Sequence, residues 1–191
     1  MAGAPTTTKI MIIRHAEKPP ESGQPFGVTV EGNQDVESLT IEGWQRAGAL
    51  ACLFAPSHGP LQATELAKPG FLFASASKSG GGSKRPVETI TPLASKLGLT
   101  VKTHKKSDTD KVAVDAMSCG GIALISWQHE LIPSIANIIV GDQTTVPQSW
   151  PDHRFDIVWV FDLQASTGSY AFSQVPQGLL AGDSAEPIQG D

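Results

Sequence analysis

Ile10-Met11-Ile12-Ile13 runs straight into Arg14-His15-Ala16-Glu17 and then Pro19-Pro20, and this junction restricts the possible folds more than any other stretch. Four consecutive apolar residues without polar alternation suit a strand buried on both faces and are too few for a helix. Prolines lack the N–H that a continuing strand requires, so the strand ends there. In open α/β sheets ligands bind just beyond the carboxyl ends of the strands. A guanidinium, an imidazole and a carboxylate are therefore delivered to the place where a site is expected.

The remaining chain alternates helical and strand patterns. Residues 17–38 are rich in Pro, Gly, Ser and acidic residues, and a loop this long beside His15 is a candidate substrate cover. Thr40 is a suitable N-cap for an amphipathic helix reaching about Phe54, with Glu42 at its positive end. Residues 61–67 read as a short helix and residues 71–75 as a second strand. Residues 77–84 form a glycine-rich cationic run without the spacing of a nucleotide-binding loop, which reads as a flexible linker. Pro86 suits the first turn of a helix over residues 87–97 that Gly98 ends, so Arg85 stands at a helix N-terminus, a favourable place for a phosphate.

Residues 99–104 follow as a strand, 109–118 as a helix and 122–127 as a fourth buried strand, after which Gln128-His129-Glu130 come at once. Residues 132–140 form an apolar helix, and residues 157–163 and 169–175 a hairpin turning at Gly168. This order predicts a three-layer α/β/α sandwich with a mostly parallel sheet of about six strands, whose active edge collects His15, Arg85 and His129. The expected organisation is a single domain over residues 1–191, with a core of about 8–176 and an irregular tail over 177–191.

A net charge of −5 disfavours a nucleic-acid partner, so any anion site must be local. No window is long and apolar enough for a membrane span, and residues 1–9 do not read as a secretory signal. Two distant cysteines, Cys52 and Cys119, suit reduced thiols, and a cytoplasmic location is the expectation. Oligomeric state is open.

Phosphoryl transfer through a covalent intermediate needs an unprotonated nucleophile, fixed positive charge on the nonbridging oxygens and an acid for the leaving oxygen. His15 meets the first need near neutral pH. Arg14 and Arg85 can each hold oxygens in a bidentate fork, His129 can donate a further hydrogen bond, and Glu17 and Glu130 are the nearest acids.

Four segments together resemble the histidine phosphatase superfamily, which has the phosphoglycerate-mutase-like fold. Arg14-His15-Ala16-Glu17 is similar to its RHG signature, with Ala16 where glycine is commoner. Residues 39–47, Leu-Thr-Ile-Glu-Gly-Trp-Gln-Arg-Ala, resemble its LTxxGxxRA segment. Arg85-Pro86-Val87-Glu88-Thr89 resembles its second-arginine motif, and Ser126-Trp127-Gln128-His129-Glu130 its second-histidine motif. The family's serine four residues before the second arginine is replaced by Gly81.

The resemblance implies a metal-free, cofactor-free phosphomonoesterase acting on a small phosphorylated substrate. His15 would be phosphorylated, and Arg14, Arg85 and His129 would form the phosphate pocket. Glu130 matches the proton donor of the acid-phosphatase branch; in the mutase-like branch Glu17 or an acid within residues 108–115 remains open. The short chain favours hydrolysis over mutase action.

Trp127, next to the site, is a candidate substrate contact, and Arg46 reads as an ion-pair partner on a helix surface. The cluster Lys102, His104, Lys105 and Lys106 reads as a solvated strand end, with the steering of an anion as the alternative. Two other functions fit the same residues: a metal-dependent hydrolase using His15, Glu17, His129 and Glu130 as ligands, and a non-catalytic phosphate-binding module.

Overall fold

In the computed structural model, which describes residues 5–76 and 82–190, β1 (Thr7–Arg14) lies inside the sheet with a strand on each side. Ile10 and Ile12 point into one core and Met11 and Ile13 into the other, all four fully buried. That explains the unbroken apolar run, since each of these side chains contributes about 2 kcal/mol by leaving water.

Among the described residues the sheet has six strands in the order β3-β2-β4-β1-β5-β6. β2 (Phe71–Ala76), β3 (Val101–Lys105) and β4 (Gly121–Trp127) run parallel to β1, while β5 (Ile157–Leu163) and β6 (Tyr170–Pro176) form an antiparallel hairpin. α1 (Ile41–Phe54) and α2 (Arg85–Leu97) cover one face; α3 (Thr109–Ser118) and α4 (Ile132–Val140) cover the other. The architecture is the expected three-layer α/β/α sandwich. Among the described residues no helix is long and apolar enough to cross a membrane.

Local signals account for most boundaries. The Thr40 hydroxyl accepts the Gly43 N–H at 3.1 Å and caps α1. Pro86 stands in the first turn of α2, and Gly98, at φ +65°, ends it. The reading of residues 77–84 as a flexible linker falls largely on residues 77–81, which lie outside the described residues, as does Gly81.

Two expectations need correction. Residues 61–67 do not form a helix. The seven residues lie between Pro60 and Pro69, too few for a stable turn stack, and their polar groups find partners elsewhere. Glu65 O accepts the Lys9 ammonium at 2.7 Å, and the Gln62 amide donates to Gln177 O at 3.0 Å. The tail beyond residue 176 is irregular, yet it belongs to the packed body. Ile188 is buried in the same core as Trp159 and pairs through its backbone with the Gln174 side chain, so a core ending at residue 176 is too short.

Candidate active site

Sheet register brings the two histidine segments together. Arg14 at the end of β1 is level with Trp127 at the end of β4, and the His15 N–H continues the ladder to Trp127 O at 2.9 Å. Both strands stop there, so His15 and His129 emerge side by side from the C-terminal edge. Gln128 is fixed by the Ser75 hydroxyl of neighbouring β2 at 2.9 Å. Arg85 arrives from α2. The Thr89 hydroxyl, one turn along, accepts the Ala16 N–H at 2.8 Å and donates to Arg85 O at 2.7 Å, tying the helix start to the loop after β1.

A cavity of about 740 Å³ opens at this edge, lined by His15, Arg85, His129 and Glu130, with Lys18, Lys105 and Lys106 also on its wall. Lys105 and Lys106, expected as a solvated strand end, therefore line the cavity with Lys18. Sequence patterning does not place them at the cavity, because the β3 end looks like any charged loop until its pairing with β2 sets it one strand away from β4. Glu37 also lines the cavity. Its segment is held against α2 by Glu88, which accepts from the Ser38 hydroxyl at 2.8 Å and the Leu39 N–H at 2.9 Å. The distal part of the 17–38 loop thus forms one wall of the cavity.

His15 is buried, with Nδ1 2.8 Å from Ala16 O. A carbonyl can only accept, so Nδ1 carries the proton and Nε2 holds the free lone pair. Burial, with the charges of Arg14 and Arg85, pushes the His15 pKa down to about 3, against the opposing Ala16 hydrogen bond. The imidazole is neutral throughout the physiological range.

Arg14 is fully buried. Its Nη1 donates to the carbonyls of Pro151, Asp152 and Arg154, its Nη2 donates to Asp152 Oδ1 at 3.1 Å, and the guanidinium stacks 3.8 Å above the Phe155 ring. Both Nη groups are therefore held by residues 151–155, and only Nε lacks a partner. The expected open fork is instead a guanidinium built into the wall behind His15. Burial lowers its pKa to about 10, which leaves it charged. Arg85 is half-buried; its Nη1 donates to Val36 O at 2.9 Å and its Nε has no partner.

The three remaining expected residues separate. Glu130 lines the cavity and pairs with Lys106. Burial alone would raise its pKa, but the Lys106 ammonium brings it below the usual range. Glu17 turns away from the cavity: its Oε1 accepts from Arg46 Nε at 2.8 Å. Arg46 is not on a helix surface but buried, bridging Glu17 to Asp183 of the tail. Trp127 does not reach the cavity; it is fully buried in the core, because β4 residues at this register alternate into the α3–α4 layer. With Glu17 committed to Arg46, the four-residue metal-ligand set does not assemble. Among the described residues no three His, Cys, Asp or Glu side chains gather closely enough to hold a metal ion.

No family model and no curated protein matches the sequence. Solved structures do match. An Escherichia coli protein assigned as alpha-ribazole-5'-P phosphatase is 10% identical over 89% of this chain and 96% of its own, with a TM-score of 0.54. A mycobacterial glucosyl-3-phosphoglycerate phosphatase is 11% identical over 87% of this chain and 97% of its own, with a TM-score of 0.51. Bacillus stearothermophilus YhfR is 13% identical over 92% and 98%, with a TM-score of 0.53. At these identities it is the fold that is shared: the chain has the same α/β architecture as these solved structures.

Proposed function

We propose that the protein is a metal-independent phosphomonoesterase acting through a phosphohistidine on His15. The observation that carries this reading is the tautomer of His15: a neutral imidazole with its proton on Nδ1 and a free lone pair on Nε2, lining a cavity beside Arg85 and His129. The fold shared with proteins described as phosphatases supports it.

In the first step Nε2 forms a bond to phosphorus as the bond to the ester oxygen breaks, and the leaving oxygen takes a proton from Glu130. In the second, the Glu130 carboxylate takes a proton from water, the water oxygen bonds to phosphorus, and the P–N bond breaks. Inorganic phosphate departs and the Nε2 lone pair is restored. Arg85 and His129 hold nonbridging oxygens, and Arg14 adds fixed positive charge beside the nucleophile. Glu130 must be protonated to act first. A bound phosphoryl group supplies that bias, because its charge competes for Lys106 and repels the carboxylate.

The test is hydrolysis of p-nitrophenyl phosphate in the presence of EDTA. Wild-type turnover persists, and His15→Ala lowers kcat by roughly a thousandfold or more. Comparable turnover in that variant refutes the reading, and activity lost to EDTA and restored by zinc or manganese favours a metal-dependent hydrolase.

A further inference from the structure

We propose that, without substrate, the Asp152 carboxylate occupies the place of a phosphoryl oxygen, and that the substrate phosphoryl group displaces it. The inference rests on the phosphatase reading. Three donors from separate segments meet at one atom: Asp152 Oδ1 lies 3.1 Å from Arg14 Nη2, 3.0 Å from Lys18 Nζ and 3.4 Å from His129 Nε2. They come from the end of β1, the loop after it and the turn after β4, the same segments that form the phosphate pocket. A single oxygen surrounded by a guanidinium, an ammonium and an imidazole has the environment of a nonbridging phosphoryl oxygen.

Its exposure distinguishes this carboxylate from a structural ion pair. The Asp152 side chain is 65% exposed, whereas Asp183, the partner of Arg46, is 6% exposed. The carboxylate end of the pair lies open to water, where screening weakens its hold, so a multiply charged phosphoryl group can replace it. The backbone does not need to follow. Arg14 Nη1 holds the carbonyls of Pro151, Asp152 and Arg154, and Phe155 stacks under the guanidinium, whichever way the Asp152 side chain points. Displacement is thus a rotation of one side chain into solvent, after which Arg14 Nη2 joins its unpartnered Nε as a fork toward the substrate. Asp152 sets a threshold: an anion binds only if its interaction with these donors exceeds that of the resident carboxylate.

The experiment is calorimetric titration of inorganic phosphate into wild type, Asp152→Ala, Asp152→Asn and Arg85→Ala at neutral pH. With the resident anion removed, the competent state no longer competes with an occupied one, and Asp152→Ala binds phosphate about three- to tenfold more tightly. Asp152→Asn, which keeps the size and loses the charge, is also tighter than wild type. Arg85→Ala is weaker. Unchanged or weaker phosphate binding by both Asp152 variants, alongside a loss in Arg85→Ala, overturns the placeholder and leaves the phosphatase reading intact. Absence of phosphate binding in every protein, together with no wild-type hydrolysis of p-nitrophenyl phosphate, overturns both.

Discussion

Replacing Arg46 with alanine separates the structural from the catalytic meaning of Glu17. The Arg46 guanidinium donates to Glu17 Oε1 at 2.8 Å, to Asp183 Oδ1 at 2.7 Å and Oδ2 at 3.1 Å, and to Gln177 Oε1 at 3.0 Å. Removing one partner of a buried pair costs about 3–5 kcal/mol because the other charge is left without compensation. Asp183 keeps the N–H donors of Leu179 and Leu180, and Glu17 retains some contact with water, so the lower end applies, about 3 kcal/mol. For a chain of this size that corresponds to a fall in Tm of roughly 6–12 °C.

Urea unfolding followed by tryptophan fluorescence, with thermal melts, measures the loss. Glu17→Gln is the companion. It leaves the Arg46–Asp183 fork in place, costs about 1–2 kcal/mol, and keeps kcat within a few-fold of wild type. An Arg46→Ala loss below about 0.5 kcal/mol refutes the claim that this cluster fastens the loop after β1 to the tail. A kcat loss of about a hundredfold or more in a stable Glu17→Gln protein makes Glu17 the proton donor and the ion-pair account wrong.

Three further outcomes follow from the same geometry. His15 has a folded pKa of about 3, below its ordinary value of 6.5. Between those values the unfolded chain binds a proton that the folded chain does not, so this contribution to stability is complete above about pH 6.5 and is lost as pH falls toward 3. Denaturant unfolding across that window shows a shallower pH dependence in His15→Gln; an unchanged slope contradicts the buried neutral imidazole. Lys106→Ala releases the Glu130 carboxyl toward its usual range and moves the basic limb of the kcat profile to higher pH, which steady-state rates against pH will show. Gly43→Ala brings a Cβ to 2.6 Å from Glu17 O. Backbone must shift in the loop that follows His15, so both Tm and kcat fall, and a variant with wild-type melting and rate contradicts the close approach.

Periodicity and punctuation carried much of the fold. The uninterrupted β1 run, the Thr40 cap, Pro86 and Gly98 each act through local physics, and each boundary they imply is found within a few residues. What stayed hidden depends on distant partners. Arg46 looks like a surface residue because its helix pattern does not reveal that residue 183 returns to it from the tail. Residues 61–67 have the spacing of a helix, but their polar groups are claimed by Lys9 and the tail backbone. Trp127 adjoins the site in sequence, and strand alternation turns it into the opposite layer. Asp152 belongs to no motif and enters the site only because the 151–155 segment wraps the Arg14 guanidinium.

The central claim is that His15 Nε2 becomes bonded to phosphorus during turnover. Rapid mixing of enzyme with a phosphomonoester in EDTA, alkaline quenching to preserve the acid-labile bond, and mass spectrometry of the digested chain test it directly. The account predicts phosphate on the peptide containing His15, formed faster than steady-state turnover and absent in His15→Ala. Steady hydrolysis with no phosphorylated peptide at any time, or phosphate on a different residue, contradicts it.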